Sequence, residues 1–294
     1  MPLFVVFALF AFITPTIAKV GLYVPLYMYL GHYWTELVDL KNKYDDLPIL
    51  AIVNPDSGPG ASKDSDFSDG IDKLLAAGII VHGYIPTTEG NRATADVEAD
   101  IDSYKSFYPQ IGGIFFDEMA NDAGKESYYT TISAYARSQG FEITHGNPGT
   151  NIPTSYADTV NIIVIAETTG TSDLSDSSEW ATTDPAKLAL IATTESSLPK
   201  EWVKEACKLV DWIYVTDDVE PNPYDTLPSY VTDLAKVLNR CNHPSKLGMI
   251  LGIIFGVLGG IAIAITTFFT VKRYRAKRNM KKAVTAAQTN EEEL

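Results

Sequence analysis

Two apolar runs in this sequence end in acid. Residues 111–118 read Ile-Gly-Gly-Ile-Phe-Phe-Asp-Glu and close on Asp117 and Glu118, and residues 160–167 read Val-Asn-Ile-Ile-Val-Ile-Ala-Glu and close on Glu167. Carboxylates facing each other across a cleft can cut a glycosidic bond. One protonates the leaving oxygen while the other attacks the sugar or directs water, at separations of about 5–5.5 Å for retention and about 6.5–9.5 Å for inversion. Taken alone, Asp117 also suits the cap of a following helix, where Asp accepts from free N–H groups. The second acidic strand end tips the reading towards chemistry. Neighbouring strand side chains point to opposite faces, so Asp117 and Glu118 cannot both face a lumen. Asp117 shares its face with Gly113 and Phe115, and the small Gly113 suits a narrow interior, so Asp117 is the expected inward residue.

Continuous apolar runs of this kind are strands buried on both faces, as in a parallel sheet. Eight strand-like runs occur, at 20–29, 47–55, 79–85, 111–118, 141–144, 160–167, 187–193 and 211–216. Helical patches lie between them at 67–77, 94–107, around 128–135, at 202–209 and at 230–238. The alternation predicts an α/β fold, a compact (β/α)8 TIM barrel. An open doubly wound sheet would want a Gly-rich phosphate loop after the first strand, where this chain has Tyr23-Val24-Pro25-Leu26-Tyr27. A barrel gathers the polar residues at its C-terminal strand ends onto one rim. Here they are Tyr27, Asn54, Tyr84, Asp117, Glu118, Asn147, Glu167, Tyr214 and Asp217. Aromatic rings suit the flat faces of sugars, and Tyr23, Tyr27, Tyr29, Tyr33 and Trp34 cluster around the end of the first strand, although about half of them serve equally well as core.

Other chemistries have less behind them. The four histidines, His32, His82, His145 and His243, show no pair at helical ligand spacing, so neither a metal nor another cofactor is expected. No Gly-x-Ser-x-Gly elbow and no P-loop occurs. The net charge is −14, and seven of the 23 Lys and Arg follow residue 271, which leaves the preceding part more acidic still. Such a field repels nucleic acid and favours neutral or cationic partners, although an acidic solvated surface is also common. Cys207 and Cys241 form one disulfide or remain two buried thiols.

The ends read differently from the middle. Residues 1–18 are apolar and close on small residues, as a signal peptide does. Residues 247–271 carry no charge, which predicts a single transmembrane helix. Lys272, Arg273, Arg275, Lys277 and Arg278 follow and would place a basic tail, 272–294, in the cytoplasm. The expected layout is a type I protein whose domain, residues 19–246, is extracellular or lumenal, held at the plasma membrane or another secretory-pathway membrane. Gly248, Gly252, Gly256 and Gly260 recur every four residues, a spacing that would let two such helices pair as a homodimer.

An ordered set of motifs carries a resemblance. Tyr23-Val24-Pro25-Leu26-Tyr27 with Trp34, Ile52-Val53-Asn54-Pro55 with Ser57-Gly58-Pro59-Gly60, and Gly83-Tyr84 with Thr87 and Arg92 are followed by Gly113 to Glu118, Asn147-Pro148-Gly149 and Glu167. In that order they resemble the spherulation-specific (spherulin-4-like) family over most of residues 19–238. The resemblance implies a (β/α)8 barrel, and some family members are microbial glycoside hydrolases that cut α-1,4-linked N-acetylgalactosamine or galactosamine polymers such as galactosaminogalactan. It implies that Asp117, Glu118 and Glu167 form the acidic cluster and that Asn54, Tyr84, Arg92 and Asn147 line the cleft. Residues 86–90, Pro-Thr-Thr-Glu-Gly, depart from the Tyr-bearing loop usual in the family. The expected function is a membrane-anchored extracellular glycoside hydrolase of amino-sugar polysaccharide. Asp117 and Glu167 would be its working pair, with Glu118 as a supporting carboxylate and Tyr27 and Tyr214 among the substrate-binding residues. A non-catalytic cell-surface lectin or a structural coat protein on the same barrel is the alternative.

Overall fold

A computed structural model describes residues 19–242. Its strands are β1 Gly21–Leu26, β2 Ile49–Val53, β3 Ile80–Pro86, β4 Gly113–Asp117, β5 Ile143–Gly146, β6 Ile162–Thr169, β7 Leu188–Thr193 and β8 Trp212–Val215. All pair in parallel in sequence order, and β8 closes on β1. Every residue of β1, β2 and β7 is buried, which is why these strands read as unbroken apolar runs: one face packs the lumen and the other meets helices.

Among the described residues six α-helices surround the barrel: α1 His32–Lys43, α2 Ser65–Ala76, α3 Thr94–Phe107, α4 Glu126–Ser138, α5 Lys200–Ala206 and α6 Val231–Asn242. Asp64 starts α2 by accepting from Asp66 N and Phe67 N at 2.8 and 3.1 Å. Helix α1 was not expected. Its buried residues Trp34, Leu37 and Leu40 do follow helical spacing, but the aromatic run before them hid its start. Between β5 and β6, and between β6 and β7, the described chain makes only 3₁₀ turns, at Thr154–Tyr156, Leu174–Trp180 and Pro185–Lys187. Prolines and short polar side chains in these stretches favour turns over an α-helix. Cys207 and Cys241 are joined in a disulfide with Cα atoms 6.4 Å apart, tying the end of α5 to α6. Asn242 then exchanges two 2.8 Å hydrogen bonds with the backbone of Val20, fixing the entry into β1.

The lumen is filled by side chains. Tyr23, His82, Phe115, His145 and Trp212 meet at its centre. Tyr23 Oη shares a hydrogen bond with His145 Nδ1 at 3.0 Å, and His145 Nε2 shares one with His82 Nδ1 at 2.5 Å. Burial drives His82 down to about 3 and His145 well below the usual range, the latter helped by its histidine neighbour, so both rings are neutral. Gly113 makes room for this pair. A Cβ there would run into the carbonyl oxygen of Ile143 and lie 2.9 Å from His82 Cε1.

The barrel agrees with the expected fold, whereas the C-terminal transmembrane helix does not. Among the described residues no helix is long and apolar enough to cross a membrane. The longest described helix, α3, has 14 residues, where a span needs about 20 apolar ones. On the described residues the membrane anchor is therefore corrected, and with it the type I layout and the plasma-membrane or secretory-membrane location; the expected cytoplasmic tail, 272–294, lies outside the described residues. Residues 1–18 and 247–271, with the expected signal peptide and the Gly248, Gly252, Gly256 and Gly260 face, lie outside the described residues.

Because Gly113 is hemmed in by backbone as well as by His82, Gly113→Ala is expected to destabilise the fold by about 1–3 kcal/mol. Chemical denaturation reads this directly, and an unchanged midpoint would contradict the packing described.

Candidate active site

Five strand ends, those of β1, β4, β5, β6 and β7, and the loop between β8 and α6 build the cleft. Residues paired across parallel strands face the same side, so the register Tyr84↔Phe115 and Pro86↔Asp117 sends Asp117 inward with Phe115. The ring of Tyr104 lies flat against Gly83, where a Cβ would come within 2.6 Å, and its hydroxyl donates to Tyr84 O at 2.9 Å. That contact sets the height of Tyr84, which hydrogen-bonds Asp117.

Glu167 reaches the lumen by a different device. Ile162 pairs with His145 and Val164 with Ala189, both lumen-facing, so simple alternation would send Ala166 inward and Glu167 outward. The register shifts between Val164 and Ala166, and Glu167 then pairs with Ile191. Both line the same cavity, which holds about 220 Å³. The bulge re-aims the carboxylate.

Asn147 joins the two acids. Its Nδ2 donates to Asp117 Oδ1 at 2.9 Å and to Glu167 Oε2 at 2.6 Å. Its Oδ1 accepts from Gly149 N at 3.0 Å, which fixes the orientation of the amide. The backbone holds it as well: Asn147 N donates to Phe116 O at 3.0 Å and Met119 N donates to Asn147 O at 2.8 Å. Glu118 lines the cavity and turns the chain at φ 49°, a left-handed conformation that its side chain makes costly. The buried Thr87 braces this turn, its hydroxyl lying 2.8 and 2.9 Å from the carbonyls of Asp117 and Glu118. Residues 86–90 thus act as a clamp on the end of β4.

The carboxyl of Asp117 is pushed up to about 6, first by burial and then by the charge of Glu167; hydrogen bonds from the Glu118 backbone, Tyr84 and Asn147 offset part of this. Tyr27 stands edge-on between Tyr84 and Tyr224, with ring centroids 5.2 and 5.4 Å away. Its phenol is held well above the usual range by burial and by Asp117.

Of the residues expected at the rim, Tyr27, Tyr84, Asp117, Glu118, Asn147 and Glu167 come together. Tyr84 joins them through its ring contact with Tyr27 without lining the cavity, and Asn54, Arg92 and Tyr214 do not line it either. The side chain of Asn54 accepts from Gly58 N at 2.9 Å and holds a turn. Arg92 donates to Pro86 O at 3.1 Å and pairs with Asp100 at 2.7 Å, supporting the β3–α3 loop from behind. Tyr214 is fully buried, its ring 6.4 Å from that of Tyr224. Asp217 accepts from Ser229 N at 3.0 Å and serves its own loop. Sequence reasoning missed Tyr224, whose hydroxyl donates to Glu167 Oε1. The available signal was an aromatic residue in the loop between β8 and the closing helix, which belongs to the active rim of a barrel.

The fold and site define a parallel eight-stranded barrel with a carboxylate-lined mouth. The model of spherulation-specific family 4 matches residues 21–238, and the chain belongs to that family. It is 34% identical over 238 residues to spherulin-4 of Physarum polycephalum, covering 76% of this chain and 71% of that protein. The crystal structure of Aspergillus clavatus Sph3 in complex with GalNAc superposes with a TM-score of 0.65 at 23% identity, over 76% of this chain and 98% of that one. At that identity the likeness shows the shared barrel.

A carboxyl raised in the folded state above its unfolded value of 3.8 adds stability that is present below that value and lost as pH rises through about 6. Asp117→Asn should therefore melt higher than the parent at pH 8, by up to about 3 kcal/mol, and lose that advantage by pH 4. Melts at the two pH values check the sign; the same difference at both would contradict it.

Proposed function

We propose that the chain is a glycoside hydrolase acting on amino-sugar polysaccharide, with Asp117 as general acid and Glu167 as nucleophile. The observation that carries this is the pair of acids held on one amide nitrogen. Bonds of 2.9 and 2.6 Å from Asn147 Nδ2 keep the two acceptor oxygens no more than about 5.5 Å apart, closer than the ~6.5–9.5 Å between the carboxyl groups of inverting enzymes and in keeping with a retaining mechanism. Asp117, raised by burial, holds the proton that the leaving oxygen needs. Glu167 attacks the anomeric carbon as Asp117 protonates that oxygen; water then enters, gives its proton to Asp117 and frees the sugar from Glu167. Asn147 orients both acids, and Glu118 adds negative charge at the rim.

The substrate class rests on chemistry and on kinship. Sph3, on the same barrel, is a protein crystallised with GalNAc. A second cavity shares Gly149 and Glu167 with the first and adds Asp173 and Asp176, and no Lys or Arg lines either one. Such walls suit an α-1,4-linked galactosamine chain that is partly deacetylated and so cationic, bound along a groove as endo-acting cleavage requires.

Release of reducing ends from galactosaminogalactan tests the reaction. Asp117→Asn and Glu167→Gln are each expected to lose at least about 10²-fold in kcat, with binding retained. Binding by the unaltered protein without any cleavage would instead establish a lectin. For the charge argument, kcat/KM on the deacetylated polymer should fall several-fold between 50 and 500 mM salt and stay level on the fully acetylated one. Equal salt response on both polymers would remove the cationic preference.

A further inference from the structure

Glu167 has two carboxylate oxygens, and both are occupied. Asn147 holds Oε2 at 2.6 Å, and the hydroxyl of Tyr224 holds Oε1. We propose that Tyr224 is a positioning residue for Glu167, donating one permanent hydrogen bond that fixes the carboxylate plane towards the bound sugar and favours its ionised form. This rests on the hydrolase reading above.

Tyr224 comes from the β8–α6 loop, yet only 8% of it is exposed. The loop is pinned at its base. Asp218 accepts from Thr226 N and Thr226 Oγ1 at 3.1 and 3.0 Å, and Asp218 N donates to Thr216 Oγ1 at 3.0 Å. Asp217 accepts from both the backbone and the hydroxyl of Ser229. From that base the Tyr224 ring packs edge-on against Tyr27 and tilted against Tyr214, with centroids 5.4 and 6.4 Å away. The ring is thus located by aromatic packing, and the hydroxyl is left one direction in which to donate.

That hydroxyl stays protonated. Burial first, then the charge of Glu167, holds the phenol far above its usual range, so Tyr224 serves as a donor and not as an acid or base. A donor to a carboxylate stabilises the charged form. During the proposed reaction Glu167 loses its charge when the glycosyl bond forms and regains it when that bond breaks. The Tyr224 bond therefore assists the departure of Glu167 in the second step. Neither Asn147 nor the barrel backbone supplies anything to Oε1.

Tyr224→Phe removes the donor and keeps the ring contacts with Tyr27 and Tyr214. On galactosaminogalactan, kcat should fall about 10-fold or more, and the acid limb of the kcat/KM–pH profile should move up by about one unit. A carboxyl-carbon NMR titration of Glu167 in the full-length protein should show the same upward displacement, and it needs no turnover. Loss of activity with both titrations unmoved would mean that Tyr224 only supports the loop, and it would overturn the proposal. Unchanged activity and unchanged titrations would overturn it as well. A wild-type protein that cleaves nothing would sink the hydrolase reading alone; the NMR displacement would then still decide whether Tyr224 sets the state of Glu167.

Discussion

One amide nitrogen, Asn147 Nδ2, donates to both acids of the cleft, and that pair of hydrogen bonds is the constraint on which the rest of the site depends. Two carboxylates this close repel, and burial adds to the cost; the raised Asp117 records both effects. A shared donor lowers that cost only if three strand ends stand at matched heights. Closure of the barrel supplies this, because β4, β5 and β6 are locked in register by their own backbone bonds. The strand ends are then joined above the sheet by the Asn147–Phe116 and Met119–Asn147 hydrogen bonds. Strain and unfavourable charge are thus concentrated at one rim and carried by a lumen of interlocked aromatic and neutral histidine side chains.

The loops divide the labour. The β3–α3 loop braces the turn after Asp117 through Thr87, and Arg92 supports that loop from behind. The β8–α6 loop brings Tyr224 over the opposite acid. Tyr27 stands between these two sides, in edge contact with Tyr84 and Tyr224, so the aromatic wall of the cleft also links the supports of Asp117 and Glu167. The crossovers after β5 and β6 lack α-helices, and there a second cavity opens beside Glu167. A chain-like ligand would find room on that side of the barrel mouth.

Much of this was legible because it is local. Apolar runs of strand length gave the eight strands, and the alternation with helices gave the barrel. The volume of Gly113 correctly put Asp117 inside, since a narrow lumen packed with His82 leaves no room for a larger residue. Arg92 and Asn54 kept their places in the ordered motifs, yet their side chains turn to the backbone of their own loops. Motif position alone does not tell a residue that lines a cleft from one that holds the lining in place. The apolar C-terminal run, read as a membrane anchor, has no counterpart among the described helices.

The sequence by itself determined which residues are acidic, which segments form strands, and that strand faces alternate, because these follow from composition and a period of two along the chain. Only the tertiary structure decided that Glu167 faces the lumen. A single register shift inside β6 reverses the alternation, and nothing in Ile-Ile-Val-Ile-Ala-Glu marks it. Likewise only the structure joined Tyr224 to Glu167 and His82 to His145, 57 and 63 residues apart along the chain. Such pairs depend on how far each strand rises around the closed barrel, a property of the whole sheet that no single segment encodes.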